Sequence, residues 1–162
     1  MSVQIHQPGI DLFDHVVTDL PLLLERLLAA PAAPVAAHSA IPNAPAIYLF
    51  SELDHAIYVG QTRVLRERLD NHTNPLGKNN KASFAFNVAK EEAARAGVDT
   101  ARFRAQLEAD QEFASHFQTA KLRVSEMDVR YIELADPIER SVFEIYAALA
   151  LDTLVFNSFE TH

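Results

Sequence analysis

Residues 46–72, AIYLFSELDHAIYVGQTRVLRERLDNH, decide the fold of this chain. They contain two short β-prone runs, residues 47–50 and 56–59, separated by a few polar residues. Short runs rich in Ile, Val, Tyr and Phe that are joined by such a segment are typical of a β-hairpin. The sequence therefore predicts a hairpin with Tyr48 on its first strand and Tyr58 on its second.

A helix is predicted directly after the hairpin. Gly60 ends the second strand, and Thr62 is the predicted N-cap of a helix over residues 63–71. Residues at i, i+3, i+4 and i+7 lie on one helix face, and here they are Leu65, Arg68, Leu69 and His72. Because the leucines should pack on the hairpin, the arginine and the histidine are expected on the side of the tyrosines.

In this order and spacing, the residues resemble the GIY-YIG nucleases. That family carries Gly-Ile-Tyr on one strand and Tyr-Ile-Gly on the next, followed by a helix with an essential arginine. Ala46-Ile47-Tyr48 and Tyr58-Val59-Gly60 are similar to the two halves, with Ala46 in place of the first glycine. The resemblance implies a phosphodiester hydrolase in which Tyr48, Tyr58, Arg68 and His72 are catalytic and Gly60 is a structural part of the motif.

A second informative element is predicted near the C-terminus. Asp136-Pro137 should begin a helix, since an N-cap residue is followed by proline at the first position. Within SVFEIYAALAL, residues 141–151, Glu144 is the one charged side chain. The expected buried stripe of this helix is Ile138, Val142, Ile145 and Leu149. A carboxylate in such a helix must be paired with an internal arginine or bind a divalent metal at a cleft, because burying it alone is costly.

The resemblance implies the second of these alternatives. A glutamate on a late helix binds the single metal ion in that family, so Glu144 is the expected ligand of Mg²⁺ (or Mn²⁺). Asn157 is similar to the asparagine that often supports the site, and we assign it to substrate binding. Glu139 is the competing carboxylate, but it lies near the helix start, where an acid suits the helix dipole.

Hydrolysis of a phosphodiester suits these groups. Arg68 offers a planar, permanently charged fork to the non-bridging oxygens. His72, acting through a tyrosine-held water, or Tyr48 directly, could accept the proton of the attacking water. Imidazole has the more suitable ordinary pKa near neutrality. We therefore favour His72, acting through a tyrosine-held water, over Tyr48 acting directly, although the sequence does not decide between them.

The charge distribution bears on the partner. A formal net charge of −8 argues against a protein that coats nucleic acid by bulk electrostatics. Residues 73–81 form a polar, turn-rich segment whose Lys78 and Lys81 are candidate phosphate contacts, although a solvated loop would look the same. We expect nucleic acid as the partner, with DNA as the first choice.

The predicted fold class is α+β, with a small, mostly antiparallel three-stranded sheet flanked by helices. Its strands are the hairpin and a strand within residues 124–134. Residues 46–162 should form the GIY-YIG-like domain, with a helical insertion at about 74–122. Its last helix should run from Thr100 toward Lys121, with the candidate core residues Phe103, Leu107, Phe113 and Phe117.

Residues 1–45 should be a helix from Asp11 to Ala30 followed by an Ala/Pro linker, both packed on that domain. Thr18 or Asp19 is the predicted cap, with Pro21 in the first turn. The apolar stripe of this helix should be Leu20, Leu23, Leu24, Leu27 and Leu28.

Composition narrows the remaining expectations. The chain has no cysteine, which excludes disulfides and thiolate metal sites. No run of apolar residues approaches the length of a membrane span. With acidic residues near its start, it shows no secretory signal, and we expect a cytoplasmic protein. A homodimer is possible through the leucine-rich N-terminal helix. The alternative function is a catalytically silent module of the same fold that binds nucleic acid or a protein partner.

Overall fold

The computed structural model describes residues 4–74, 83–157 and 159. The helices and strands of these residues follow in chain order: α1 (Gln7–Ala29), β1 (Ala33–Pro34), a 3₁₀ helix (Val35–Ala40), β2 (Ala46–Glu52), β3 (His55–Thr62), α2 (Leu65–Thr73), α3 (Ser83–Arg95), α4 (Arg104–Glu108), α5 (Gln111–Glu126), β4 (Asp128–Glu133) and α6 (Pro137–Ala150). No helix among the described residues is both long and apolar enough to span a membrane.

The sheet is antiparallel and has the strand order β1-β4-β2-β3. The α+β class is confirmed, but the sheet of the described residues has four strands and not three. The additional strand has two residues, Ala33 and Pro34, paired with Val129 and Asp128. A two-residue strand shows no alternation in the sequence, and its proline is tolerated because the strand lies at an edge of the sheet.

The predicted hairpin is formed by β2 and β3. Leu53 and Asp54 connect the strands and both have positive φ, 50° and 64°. Two such residues in a two-residue loop give the turn whose twist matches that of the strands. Tyr48 pairs with Gly60 and Phe50 with Tyr58, with a bulge after Phe50. Because directly paired residues point to the same side of a sheet, both tyrosines lie on one face.

Helices cover both faces of the sheet. The face that carries the tyrosines packs against α2, α3 and α5, with Leu65, Leu69, Phe84 and Val88 in a shared core. Ile47, Leu49 and Val59 point to the other face, where they meet α1 and α6. Of the predicted leucine stripe of α1, Leu20, Leu23 and Leu27 are buried there, whereas Leu24 is half-buried and Leu28 is exposed. α1 begins at Gln7, earlier than predicted, and Pro21 lies inside the helix and not in its first turn.

α2 begins two residues later than predicted, at Leu65. Thr62 is still part of β3, paired with Ala46. Its hydroxyl accepts a hydrogen bond from the backbone N–H of Val64, 3.1 Å away, and so shapes the turn before the helix. The predicted inward face of α2 is confirmed, because Leu65, Leu69 and His72 are fully buried.

The buried face predicted for α6 is wrong. Ile138, Ile145 and Leu149 are exposed by 52%, 46% and 61%, whereas the buried residues are Arg140, Phe143, Ala147 and Ala148. Arg140 is decisive, since its guanidinium donates to the carbonyls of Leu134 and Ala135 at 2.8 and 2.7 Å. Those two carbonyls compensate part of the cost of burying the cation, while Nε of Arg140 has no partner among the described residues.

The continuous helix expected from residue 100 is also interrupted. Asp110 caps α5 by accepting from the N–H groups of Glu112 and Phe113, so α4 and α5 are separate helices. Phe103, a predicted core residue, precedes α4 and is 81% exposed. The other predicted core residues, Leu107, Phe113 and Phe117, are buried.

Candidate active site

Gly60 allows the two tyrosines to pack over the backbone of β3. A Cβ atom added at Gly60 would lie 2.5 Å from the Tyr48 hydroxyl oxygen and 2.8 Å from Cε1 of Tyr58. Both distances are far below ordinary van der Waals contact, so the space of that Cβ is taken by the rings. The glycine of the YVG motif is therefore required by the position of Tyr48.

Arg68 ties the tyrosines to α3. Its Nε donates to the Tyr48 hydroxyl at 3.2 Å, and a terminal nitrogen donates to the Ser83 hydroxyl at 2.9 Å. The guanidinium also hydrogen-bonds with Tyr58. It is half-buried. The planar fork thus stands at a fixed place beside both phenols, as Lys could not.

His72 lies behind Tyr48. Its Nε2 is 3.4 Å from the Tyr48 hydroxyl, and the ring is fully buried against Phe50 and Phe84. Burial, together with the positive charges of Arg68 and Lys121, lowers the pKa of His72 well below its ordinary value. The imidazole is therefore neutral at physiological pH.

Glu144 reaches the same region from α6. One carboxylate oxygen accepts from the backbone N–H of Gln61 at 3.2 Å, and the other accepts from the Gln61 side-chain amide at 2.8 Å. Burial raises the pKa of the Glu144 carboxyl, while the hydrogen bonds from Gln61 and the charge of Arg68 lower it. The Arg68 guanidinium is thus one of the charges that act on the Glu144 carboxyl.

Asn157 completes the open edge of β3. Its side-chain oxygen accepts from the Val59 N–H at 3.2 Å and its amide donates to the Val59 carbonyl at 2.6 Å, as a neighbouring strand would. The Thr153 hydroxyl donates to the same oxygen at 2.9 Å. Asn157 is buried, and these bonds hold the C-terminal segment against the strand that carries Tyr58. Its assignment to substrate binding stays a prediction.

A cleft of about 760 Å³ opens between these elements. Its lining includes the buried rings of Tyr58 and Phe84, the Glu144 carboxylate, and residues of α3 and the C-terminal segment. Arg68 is connected to it through Ser83, which also lines it. Burial raises the pKa of Tyr58, as it does that of Tyr48, so both phenols are protonated at neutral pH.

The structure thus brings together Tyr48, Tyr58, Arg68, His72, Glu144 and Asn157. Lys78 and Lys81, the candidate phosphate contacts, lie outside the described residues. Sequence reasoning missed Gln61 and Ser83, which position Glu144 and Arg68. The one available signal for Gln61 was its place directly after the YVG motif. Ser83 showed none.

A divalent cation suits the donor at this site. Among the described residues no three His, Cys, Asp or Glu side chains form a metal-binding group, so Glu144 does not belong to a carboxylate cluster. Burial disfavours the negative charge of the Glu144 carboxylate and so raises its pKa. A bound cation can compensate that charge as well as a proton can. Mg²⁺ is commonly bound by one or two carboxylates and keeps several waters. These residues therefore fit the expected ion.

Comparison with known proteins agrees with the hairpin and α2. The family model described as the GIY-YIG catalytic domain matches residues 44–109. Glu144 and Asn157 lie beyond that match. A search of curated proteins and a search of solved structures each returned no match. The matched region holds both tyrosine strands, Gly60 and Arg68, so this part of the chain is similar to the GIY-YIG catalytic domain, which has a nuclease-type fold.

Proposed function

We propose that this protein is a metal-dependent endonuclease that hydrolyses DNA phosphodiester bonds. One observation carries the proposal: the half-buried Glu144 carboxylate lines a cleft together with Tyr58 and Ser83, and Ser83 accepts a hydrogen bond from the fixed guanidinium of Arg68. Hydrolysis of a phosphodiester needs positive charge for the phosphate oxygens and an oxygen ligand for a cation.

Arg68 is proposed to bind the scissile phosphate. Its contacts with Tyr48 and Ser83 fix the plane of the guanidinium before substrate arrives. A group held in place in this way stabilises developing negative charge without reorganising during the reaction. Ser83 is thus a positioning residue for Arg68.

Tyr58 is proposed to contact the attacking water. It is the motif tyrosine that lines the cleft, and its neutral hydroxyl can both accept and donate a hydrogen bond. His72 reaches this network through the Tyr48 hydroxyl, and its lowered pKa disfavours the imidazolium form. We therefore favour a tyrosine over His72 as the group nearest the water, with His72 positioning Tyr48.

Glu144 is proposed to hold Mg²⁺ or Mn²⁺. The bound ion would supply Lewis acidity at a phosphate oxygen and charge for the leaving group. Gln61 keeps the carboxylate in place through its backbone N–H and its side-chain amide. The Ser141 hydroxyl, 3.2 Å from the same amide nitrogen, fixes the Gln61 side chain in turn.

The proposal is tested by nicking of supercoiled plasmid in Mg²⁺ or Mn²⁺, with Glu144→Gln beside Glu139→Gln. Both carboxylates lie on α6, but Glu139 lies in its first turn and lines a different, smaller cavity with α1. We expect Glu144→Gln to lose at least about 100-fold in rate, the loss seen when a preorganised charge-stabilising group is removed. Glu139→Gln should retain wild-type activity.

A catalytically silent module is the second candidate. The net charge of −8 and the engagement of both Glu144 oxygens by Gln61 favour it. Wild-type protein that leaves DNA and RNA intact across divalent metals, while still binding an oligonucleotide, would support this second function and exclude the first.

A further inference from the structure

One wall of the cleft is chemically unlike the catalytic end. Val155 and Phe159 line it and are exposed by 76% and 41%, although both are apolar. Phe156 lies between them in the sequence and packs edge-on against Phe84, with ring centroids 5.6 Å apart. The C-terminal segment thus presents an accessible apolar and aromatic surface to the cleft, beyond Tyr58.

Another part of the lining is one face of α3. Ser83, Asn87, Lys90, Glu91 and Ala94 line the cleft at helical spacing, and the Glu91 carboxylate is paired with Arg95. Lys90 lies seven residues from Ser83, about 10 Å along the helix axis. Within the described part of the chain Lys90 has no hydrogen-bond or ion-pair partner. A cation of the same cleft therefore stands about two helical turns from the Ser83 that bonds Arg68.

We propose that this part of the cleft is a nucleobase-binding subsite. An unpaired base stacks against Phe159 and Phe156, and Lys90 contacts a phosphate that neighbours the scissile one. The preferred substrate is accordingly a single strand, or a duplex whose strands are locally separated. This inference rests on the proposed function, because it assumes that the scissile phosphate lies at Arg68 and Glu144.

Size and charge both favour an unpaired base. A cleft of about 760 Å³ is within the range of small-ligand sites and can enclose a nucleotide, but not a duplex. Stacking on aromatic side chains provides affinity that is independent of base identity. Duplex binding depends instead on neutralising many phosphates, and a chain of net charge −8 is poorly suited to that.

The subsite is tested without cleavage. Binding of a single-stranded oligonucleotide that carries 2-aminopurine, and of the same oligonucleotide in a duplex, is measured by fluorescence in EDTA. The variants are Phe159→Ala and, as a matched control, Phe103→Ala, which removes an equally apolar but more exposed ring outside the cleft. Phe159→Ala should weaken single-strand binding about fivefold or more, the lower end of the range for one stacking contact. Phe103→Ala should leave binding unchanged.

A second variant keeps the test independent of folding. The chain has no tryptophan, so Phe159→Trp places a single fluorophore at the subsite. A single-stranded oligonucleotide should quench its emission, and Lys90→Ala should reduce the affinity measured in this way. Arg26→Ala, which removes an exposed cation on α1, should not.

The outcomes separate the two proposals. Equal binding of single strand and duplex, unaffected by Phe159→Ala, would overturn the subsite while Glu144-dependent nicking still supported the nuclease. Loss of nicking in every metal with base stacking intact would instead overturn the nuclease. A smaller sedimentation coefficient for Phe159→Ala than for wild type would show that the surface is covered by a second copy of the chain, and would refute a nucleobase subsite.

Discussion

Gly60→Ala tests whether the site depends on contact between Tyr48 and the backbone of β3. The added Cβ would lie 2.5 Å from the Tyr48 hydroxyl oxygen, about 1 Å short of ordinary contact. Gly60 does not have a positive φ angle. Alanine at this position therefore meets a steric obstacle but no backbone strain. Tyr48 is fully buried and cannot move into solvent.

The expected magnitude follows from two opposing effects. Overpacking a core by a methyl group costs about 1–3 kcal/mol. Replacing glycine by alanine within a strand contributes about 0.5–1 kcal/mol of stability when space allows. We therefore expect a net loss of about 1–2 kcal/mol in the free energy of unfolding, measured by urea denaturation. Because the displaced hydroxyl is bonded to Arg68, the nicking rate should fall by about 100-fold.

A double-mutant cycle makes the test strict. Tyr48→Leu removes the end of the ring and the hydroxyl, the nearest atoms that the new methyl group would meet, and leaves Cε1 of Tyr58 at 2.8 Å. In that background Gly60→Ala should therefore destabilise the fold by less than it does in wild type, because only the contact with Tyr58 remains. Equal destabilisation in both backgrounds would refute the steric explanation, since the coupling between the two positions would then be zero.

Four other substitutions have expected outcomes. Asn157→Ala leaves the N–H and carbonyl of Val59 without their partner; we expect a loss of about 2–3 kcal/mol in urea denaturation, and a loss below about 0.5 kcal/mol would contradict the edge-pairing role. Arg68→Lys keeps the charge but loses the planar fork, so nicking should fall at least about 100-fold with an unchanged thermal midpoint; full activity would show that charge alone suffices. His72→Phe should lower the rate without changing the shape of the pH–rate curve, and disappearance of its acidic limb would identify His72 as the base. Glu144→Gln should be more stable than wild type at neutral pH and equally stable well below pH 4.5, the ordinary carboxyl value. The raised pKa of Glu144 means that wild type has its full stability at low pH and loses part of it as the pH rises through that pKa. Thermal midpoints across pH measure this difference, and saturating Mg²⁺ should reduce it at neutral pH.

Local sequence signals were sufficient for the hairpin and for α2. The two apolar runs and the spacing of Leu65, Leu69 and His72 each depend on neighbours within a few residues, so they can be recognised without knowledge of the fold. The predicted end of the strand at Gly60 was wrong, because β3 continues to Thr62. Asp136 was recognisable as the cap of α6 for the same reason, and it accepts from the N–H groups of Ile138 and Glu139. The family model covers the hairpin and α2 but not α6.

The orientation of α6 could not be predicted in the same way. Apolar residues occur all round this helix, so their periodicity does not select a face. The buried face is selected by contacts outside the helix. Phe143 packs on the sheet, and Arg140 donates to the carbonyls of the two residues Leu134 and Ala135 that precede the helix. The predicted buried stripe was wrong, but Glu144 does line a cleft. That expectation depended on the charge of Glu144 and not on which face of the helix is buried.

The open edge of β3 explains why these residues occur together. Val59 and Gln61 turn their backbone N–H groups away from β2, and those groups bind the side chains of Asn157 and Glu144. Gly60, between them, lies under Tyr48. Because successive strand residues alternate in direction, one register of the hairpin satisfies all three contacts, and a slip by one residue would break every one of them. The pairing of Tyr48 with Gly60 therefore sets the placement of the carboxylate on α6, even though Glu144 lies 83 residues from Gln61 in the sequence.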